Sequence, residues 1–156
     1  MSIDPFFESC FVHSNSQSKP SGDEFESMVL LDLNTRGYAL NNTNFKLKKL
    51  GIEVDVVATK DDSIEFIEAK GGRPGKGKRP GALRTDNVKK AVCNGALLKS
   101  MYDHRYIIYF SSKPKLGSSS DVMIQSALSA GFVDEVRWIE THEPPGLENF
   151  WNEIIN

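Results

Sequence analysis

Residues 51–72, GIEVDVVATKDDSIEFIEAKGG, hold two short apolar runs joined by a polar Thr-Lys-Asp-Asp-Ser link. Ile52 to Ala58 and Ile64 to Ala69 are rich in Val, Ile and Phe, so the pair predicts a β-hairpin with a five-residue connection. Asp55, Glu68 and Lys70 stand in this hairpin where a sheet favours branched aliphatics. An ionised group taken into a core needs a partner or a metal. Period-two geometry places Glu68 and Lys70 on one face of a strand with Asp55 on its neighbour, so the three can converge. Carboxylate oxygens suit Mg²⁺, and an ammonium beside them can steady an anionic nucleophile or a phosphate.

The rest of the chain frames that hairpin. Residues 1–20 predict a partly flexible N-terminal extension, and residues 21–156 a single domain. Ser21 to Thr35 reads as a helix, with Ser21 and Glu24 as a capping box and Gly37 as the stop. Asn44 to Leu50 reads as a first strand. Thr85 to about Met101 reads as a second helix with Val88, Ala91, Val92, Gly95 and Leu98 on one stripe, Gly95 there allowing helix and sheet to approach closely. Arg105 to Ser111 predicts a buried strand, Ser119 to Ala130 a third helix stopped at Gly131, and Val133 to Ile139 a last strand. The expected fold class is α/β, a mixed β-sheet flanked by helices in the order αβββαβ followed by an extra helix and strand.

Charge is distributed unevenly. The 156 residues carry a net charge of −2, yet residues 70–90 hold eight basic side chains and one acid. That segment is a concentrated positive field on an otherwise acidic chain. No apolar run approaches the ~20 residues of a bilayer span, and the opening residues lack the basic region of a signal peptide. Cys10 and Cys93 fit no metal spacing and read as free thiols, so a cytoplasmic location is expected. The loop GGRPGKGKRPG lacks the Walker spacing, which argues against a nucleotide cofactor. His13, His104 and His142 are scattered and suggest no histidine-based site.

A helical wheel of the first helix selects a fourth acid. Val29, Leu30 and Leu33 lie within about 60° of Glu26 at 100° per residue, which sets Glu26 in the apolar stripe and Glu24 on the far side. On the second helix, Asn87, Lys90 and Asn94 share a flank with Arg84 near by, a composition suited to phosphate contacts.

Glu26, Asp55 and Glu68-Ala69-Lys70, in this order and on these elements, resemble the PD-(D/E)XK, or restriction endonuclease-like, nuclease superfamily. The stretch from Glu26 to the Arg36-Gly37 pair is similar to the opening helix of archaeal Holliday-junction resolvases. The likeness covers about residues 21–110, with Val54 where the name-giving proline would stand. It implies a metal-dependent endonuclease that hydrolyses DNA phosphodiesters, structure-selective or restriction-like. Asp55, Glu68 and the Ala69 carbonyl, with Glu26, would hold one or two Mg²⁺ or Mn²⁺, and Lys70 would orient or activate the attacking water. Arg73, Lys76, Lys78, Arg79, Arg84, Asn87 and Lys90 are the expected nucleic-acid contacts. Duplex or branched DNA is the expected partner, no membrane is involved, and a homodimer would pair two sites for cutting both strands. Two competing readings are a catalytically inactive nuclease-fold module that binds nucleic acid or a protein, and a purely structural ion-pair network.

Overall fold

The computed structural model describes residues 20–72 and 79–140, with side chains from residue 24 onward. Helix α1 spans Pro20–Thr35, and strands β1, β2 and β3 span Ala39–Leu47, Ile52–Lys60 and Ser63–Lys70. A 3₁₀ turn at Gly81–Leu83 precedes α2 (Thr85–Met101), followed by β4 (Arg105–Phe110), α3 (Ser119–Ala130) and β5 (Glu135–Trp138). The five strands form one sheet in the order β1-β2-β3-β4-β5. β1, β2 and β3 pair antiparallel, while β3, β4 and β5 pair parallel. This is the mixed α/β sheet with flanking helices that the element order predicts.

Local departures have physical causes. The hairpin connection is two residues rather than five: Lys60 pairs Ser63, and Asp61 and Asp62 take positive φ values of 50° and 62°. Those backbone angles match the twist of the flanking strands, so the ladder continues almost to the tip. β1 starts at Ala39, earlier than its Asn-rich composition suggests, because pairing with β2 supplies its backbone partners. It ends at Leu47, and residues 48–51 form the turn into β2. An irregular register between Leu40 and Asn42 and a positive φ at Asn44 bend this edge strand, a device that discourages edge-to-edge pairing. The first helix begins at Pro20, so Ser21 falls inside its first turn and is not the cap expected of it. Proline suits that first position because its missing N–H would be unsatisfied in any case.

Two apolar clusters sandwich the sheet. Phe25, Val29 and Leu33 of α1 pack with Val56, Ala58, Ile67, Ile107 and Tyr109. On the other side, Val88, Ala91 and Leu98 of α2 and Ile124 and Ala127 of α3 pack with Val54, Val57, Phe66, Ile108 and Phe110. Val29, Leu33, Val88 and Leu98 are essentially fully buried, each worth roughly 1.5–3 kcal/mol of apolar burial. α3 has a complete pair of ends, with Ser118 Oγ accepting from the Asp121 N–H and Gly131 left-handed at φ 75°.

A polar network closes the side of α1. Arg137 donates to both carboxylate oxygens of Glu135 (2.9 and 3.0 Å), to Tyr109 Oη (2.9 Å) and to Tyr38 Oη (3.2 Å). Tyr109 in turn donates to Asp32 Oδ2 at 2.6 Å. The hydrogen bonds from Arg137 hold the Glu135 carboxyl below its ordinary range, which favours the charged pair. The Arg137 side chain is 9% exposed while Glu135 keeps 36%, so the pair is only partly desolvated. Arg137→Ala is expected to cost about 2 kcal/mol, below the 3–5 kcal/mol of a fully buried pair. Urea unfolding at neutral pH measures it, and a change under 0.5 kcal/mol would show the network to be dispensable.

Candidate active site

Asp55 stands where the alternation of β2 breaks. Ile52 and Val54 pack in the α2 cluster, but Val56 and Ala58 pack in the α1 cluster, although an unbroken strand would keep all four on one face. The recorded β2–β3 ladder ends at Val56 and Ile67. Just past that point, Ala69 N–H donates to Asp55 Oδ2 at 2.7 Å. A side-chain carboxylate thus takes a main-chain donor of the neighbouring strand, which locks Asp55 beside the end of β3.

Glu68 and Lys70 point the same way from β3 and form an ion pair. Glu68 is 2% exposed, and its Oε2 has no hydrogen-bond partner. Burial, and then the nearby Asp55 charge, push its carboxyl up to about 7 against the pull of Lys70 and Asn94. Burial also raises Asp55, against the pull of the Ala69 N–H and Lys70. For Lys70, burial favours the neutral amine, but the two carboxylates outweigh it and the ammonium is held above its ordinary range. One buried acid, a half-buried acid and a half-buried cation therefore meet where the start of β2 lies beside the end of β3, with one carboxylate oxygen unused.

α1 reaches the same end of the sheet. A Cβ on Gly71 would come within 2.2 Å of the Phe25 ring, so the residue after Lys70 has to be glycine for Phe25 to pack there. Glu26, next to Phe25, is half-buried, and Glu24 is exposed. The buried stripe runs through Phe25, Val29 and Leu33, which leaves Glu26 on its flank and not at its centre as the wheel suggests. The wheel omitted Phe25, whose ring is the helix's deepest contact near its start. Among the described residues no three His, Cys, Asp or Glu side chains gather closely enough to hold a metal, so Glu26 does not complete a three-acid cluster with Asp55 and Glu68.

The expected nucleic-acid contacts divide in three. Arg73, Lys76 and Lys78 lie outside the described residues. Arg79, Arg84 and Lys90 are exposed. Asn87 is partly buried, and its amide donates to the Gly81 carbonyl at 3.0 Å, bracing the turn before α2. Asn94, which the wheel groups with phosphate contacts, instead stands by Glu68 and favours its charged form. A polar residue one turn along from the packed Ala91 and beside Gly95 was the available signal. Gly95 itself allows close approach, as expected: a Cβ there would lie 2.4 Å from the Phe132 carbonyl and 2.7 Å from the Tyr106 ring.

No protein-family model matches the chain. A stretch of 52 residues, 33% of the chain, is 38% identical to a UPF0102 protein of Sulfurovum sp. (strain NBC37-1). The match spans 45% of that relative's length. A solved structure, SfsA of Pyrococcus furiosus in complex with Ca²⁺, aligns with 75% of this chain and 54% of its own at 18% identity and a TM-score of 0.48. The likeness to the UPF0102 protein is consistent with a nuclease-like fold. No described helix is long and apolar enough to cross a membrane.

Proposed function

We propose that this protein is a divalent-metal-dependent phosphodiesterase acting on DNA, with Asp55, Glu68 and Lys70 at its centre. The observation that carries the reading is the buried Glu68 carboxylate, whose Oε2 lacks a partner while Lys70 pairs with its Oε1 and the Asp55 charge stands near by. A merely structural ion pair gains little from a second acid beside it, because like charges raise the cost of ionising both. A hard cation would relieve that repulsion and use the spare oxygen. The partial likeness to a UPF0102 protein, of a family in the restriction endonuclease-like superfamily, supports the same reading.

The donor set fits Mg²⁺ or Mn²⁺: carboxylate oxygens of Asp55 and Glu68, with the carbonyl of Ala69, the residue after Glu68. Two protein carboxylates also leave room for water and phosphate oxygens, as Mg²⁺ prefers. When bound, the metal would lower the pKa of a water and neutralise charge on the phosphate. Ala69 N–H holds Asp55 in one orientation, and Asn94 favours the ionised form of Glu68. Lys70, kept protonated by both acids, can hydrogen-bond an anionic oxygen of the substrate or steady the attacking water. Glu26 would support the site from the flank of α1.

Incubating the protein with Mg²⁺, Mn²⁺ or EDTA against single-stranded, duplex, flap and four-way-junction DNA tests the proposal. Metal-dependent cleavage of at least one substrate is expected, and binding without cleavage under every metal would favour the inactive-module reading. Glu26→Gln should lower cleavage about tenfold or more, as for a supporting group around a metal. Glu24→Gln, on an exposed position, should leave it within twofold, and the reverse order would remove Glu26 from the site.

A further inference from the structure

Strand directions bring three loops to the end of the sheet where Asp55 and Glu68 meet. β1 and β2 pair antiparallel, so the turn between them lies beside the start of β2, three residues before Asp55. β2 and β3 pair antiparallel and β3 and β4 parallel, so Lys70 and Phe110 end side by side. The 3₁₀ turn is tied to the end of β4, with Ala82 N–H donating to the Ser112 carbonyl at 3.1 Å. The start of α3 meets the start of α2 through Ser120 and Thr85.

Exposed cations lie on both sides of the site at this end. Lys48 and Lys49 sit in the β1–β2 turn, and Lys113 and Lys115 in the β4–α3 loop, all four exposed. Exposed Arg79 and Arg84 flank the 3₁₀ turn. The acids here, besides Asp55 and Glu68, are Glu24 and Glu26 on α1, Glu53, which pairs across the strands with Lys46, Asp86, and Asp121, which accepts from the Gly117 N–H. The opposite end carries Asp61 and Asp62 at the β2–β3 turn, Asp103 before β4, and Asp134 and Glu135 before and at the start of β5, against Arg36, Lys60, Lys99 and Arg105, of which Lys99 pairs with Asp134 and Arg105 with Glu135. Around the candidate site the loops are thus net basic, while the opposite end of the sheet is slightly acidic.

We propose that the β1–β2 turn and the β4–α3 loop are two arms of a polynucleotide-binding surface that straddles the site. The inference rests on the phosphodiesterase reading and names its substrate class: a chain that continues on both sides of the bond being cut. The arms lie two to three strand spacings apart, roughly 10–14 Å at about 4.8 Å per spacing. That matches about three to four nucleotides at roughly 3.4 Å per phosphate along one strand. Lysine ammoniums hold phosphates as point charges and carry no base information, so this surface positions a backbone and does not read sequence.

The test is binding of a fluorescein-labelled 30-base-pair duplex across a salt series, once in EDTA and once in Ca²⁺. It compares wild type with Lys48→Ser/Lys49→Ser, Lys113→Ser/Lys115→Ser, and the combination. Each phosphate contact contributes about −0.9 to the slope of log affinity against log salt. Each pair should flatten the slope by up to about 1.8 and the combination by up to about 3.6. Lys49 has a further interaction of its own, so Lys48→Ser alone is measured beside the pair and should flatten the slope by about 0.9. A slope unchanged in all variants, or a wild type that does not bind the duplex, overturns the surface. The phosphodiesterase reading is judged separately by wild-type cleavage. Cleavage with unchanged slopes removes the surface alone, and flattened slopes without cleavage under any metal remove the activity alone.

Discussion

Glu68→Gln and Asp55→Asn are each expected to abolish cleavage, by at least about a hundredfold, with the fold retained. Changing residues that only support metal ligands already costs about 10–100-fold in other metal sites, so removing a ligand charge should cost no less. Stability should move the other way. Burial and Asp55 raise the Glu68 carboxyl to about 7, above its unfolded value, so the folded state keeps a proton that the unfolded state loses. Its contribution is fully present below about pH 4.5 and is lost as the pH rises to about 7. Glu68→Gln should therefore be nearly neutral near pH 4.5 and stabilising in EDTA at pH 8. The gain should be on the order of 1–2 kcal/mol, because part of the relieved repulsion is offset by leaving Lys70 with Asp55 alone. Mg²⁺ should raise the melting temperature of the wild type and much less that of either variant, since only a bound state is stabilised by ligand. Full cleavage by Glu68→Gln, or equal Mg²⁺ shifts in all three proteins, would remove Glu68 from the site.

Gly95→Val is expected to have the largest effect on stability, about 3 kcal/mol or more. The added Cβ would meet the Phe132 carbonyl at 2.4 Å and the Tyr106 ring at 2.7 Å. Neither can easily yield. Tyr106 is fully buried, and its hydroxyl donates to the Ala91 carbonyl at 2.7 Å, while Phe132 N–H donates to the Ala127 carbonyl at 3.0 Å. Overpacking of a tight core costs about 1–3 kcal/mol and more where backbone must shift. For a chain of this size that is a fall in melting temperature on the order of 10 °C. Gly131→Ala provides the contrast: open space surrounds its Cβ, and only the left-handed φ of 75° is penalised, about 1–2 kcal/mol. Comparable losses in the two variants would show that the α2–sheet contact is not tight.

Asp55, Glu68 and Lys70 were legible because their charges interrupt runs that are otherwise Val, Ile and Phe, and strand periodicity then limits where they can point. Glu26 was only half legible. A wheel weighs all apolar residues alike, whereas the packing against Gly71 makes Phe25 the anchor and turns Glu26 to the flank. Asn94 was seen as a polar residue on a helix flank, but its neighbour Glu68 is 26 positions earlier in the chain, and no local pattern joins them. The bases on the β1–β2 turn and β4–α3 loop, each a short cluster far from the 70–90 run, carry no signal of a shared surface until the strands are ordered.

Hydrophobic periodicity, glycine stops and the buried-charge anomaly by themselves determined the element order, the mixed sheet and the carboxylate–carboxylate–lysine set, because those depend on residues close in sequence. Tertiary structure decided the rest. The pleat of β2 reverses at Asp55, so that its carboxylate takes the Ala69 N–H. Glu68 sits at 2% exposure with one oxygen unpaired, and the basic loops fall at one end of the sheet. Desolvation and through-space charge depend on which distant segments pack together, and that is fixed only when the sheet and its helices close over the hairpin.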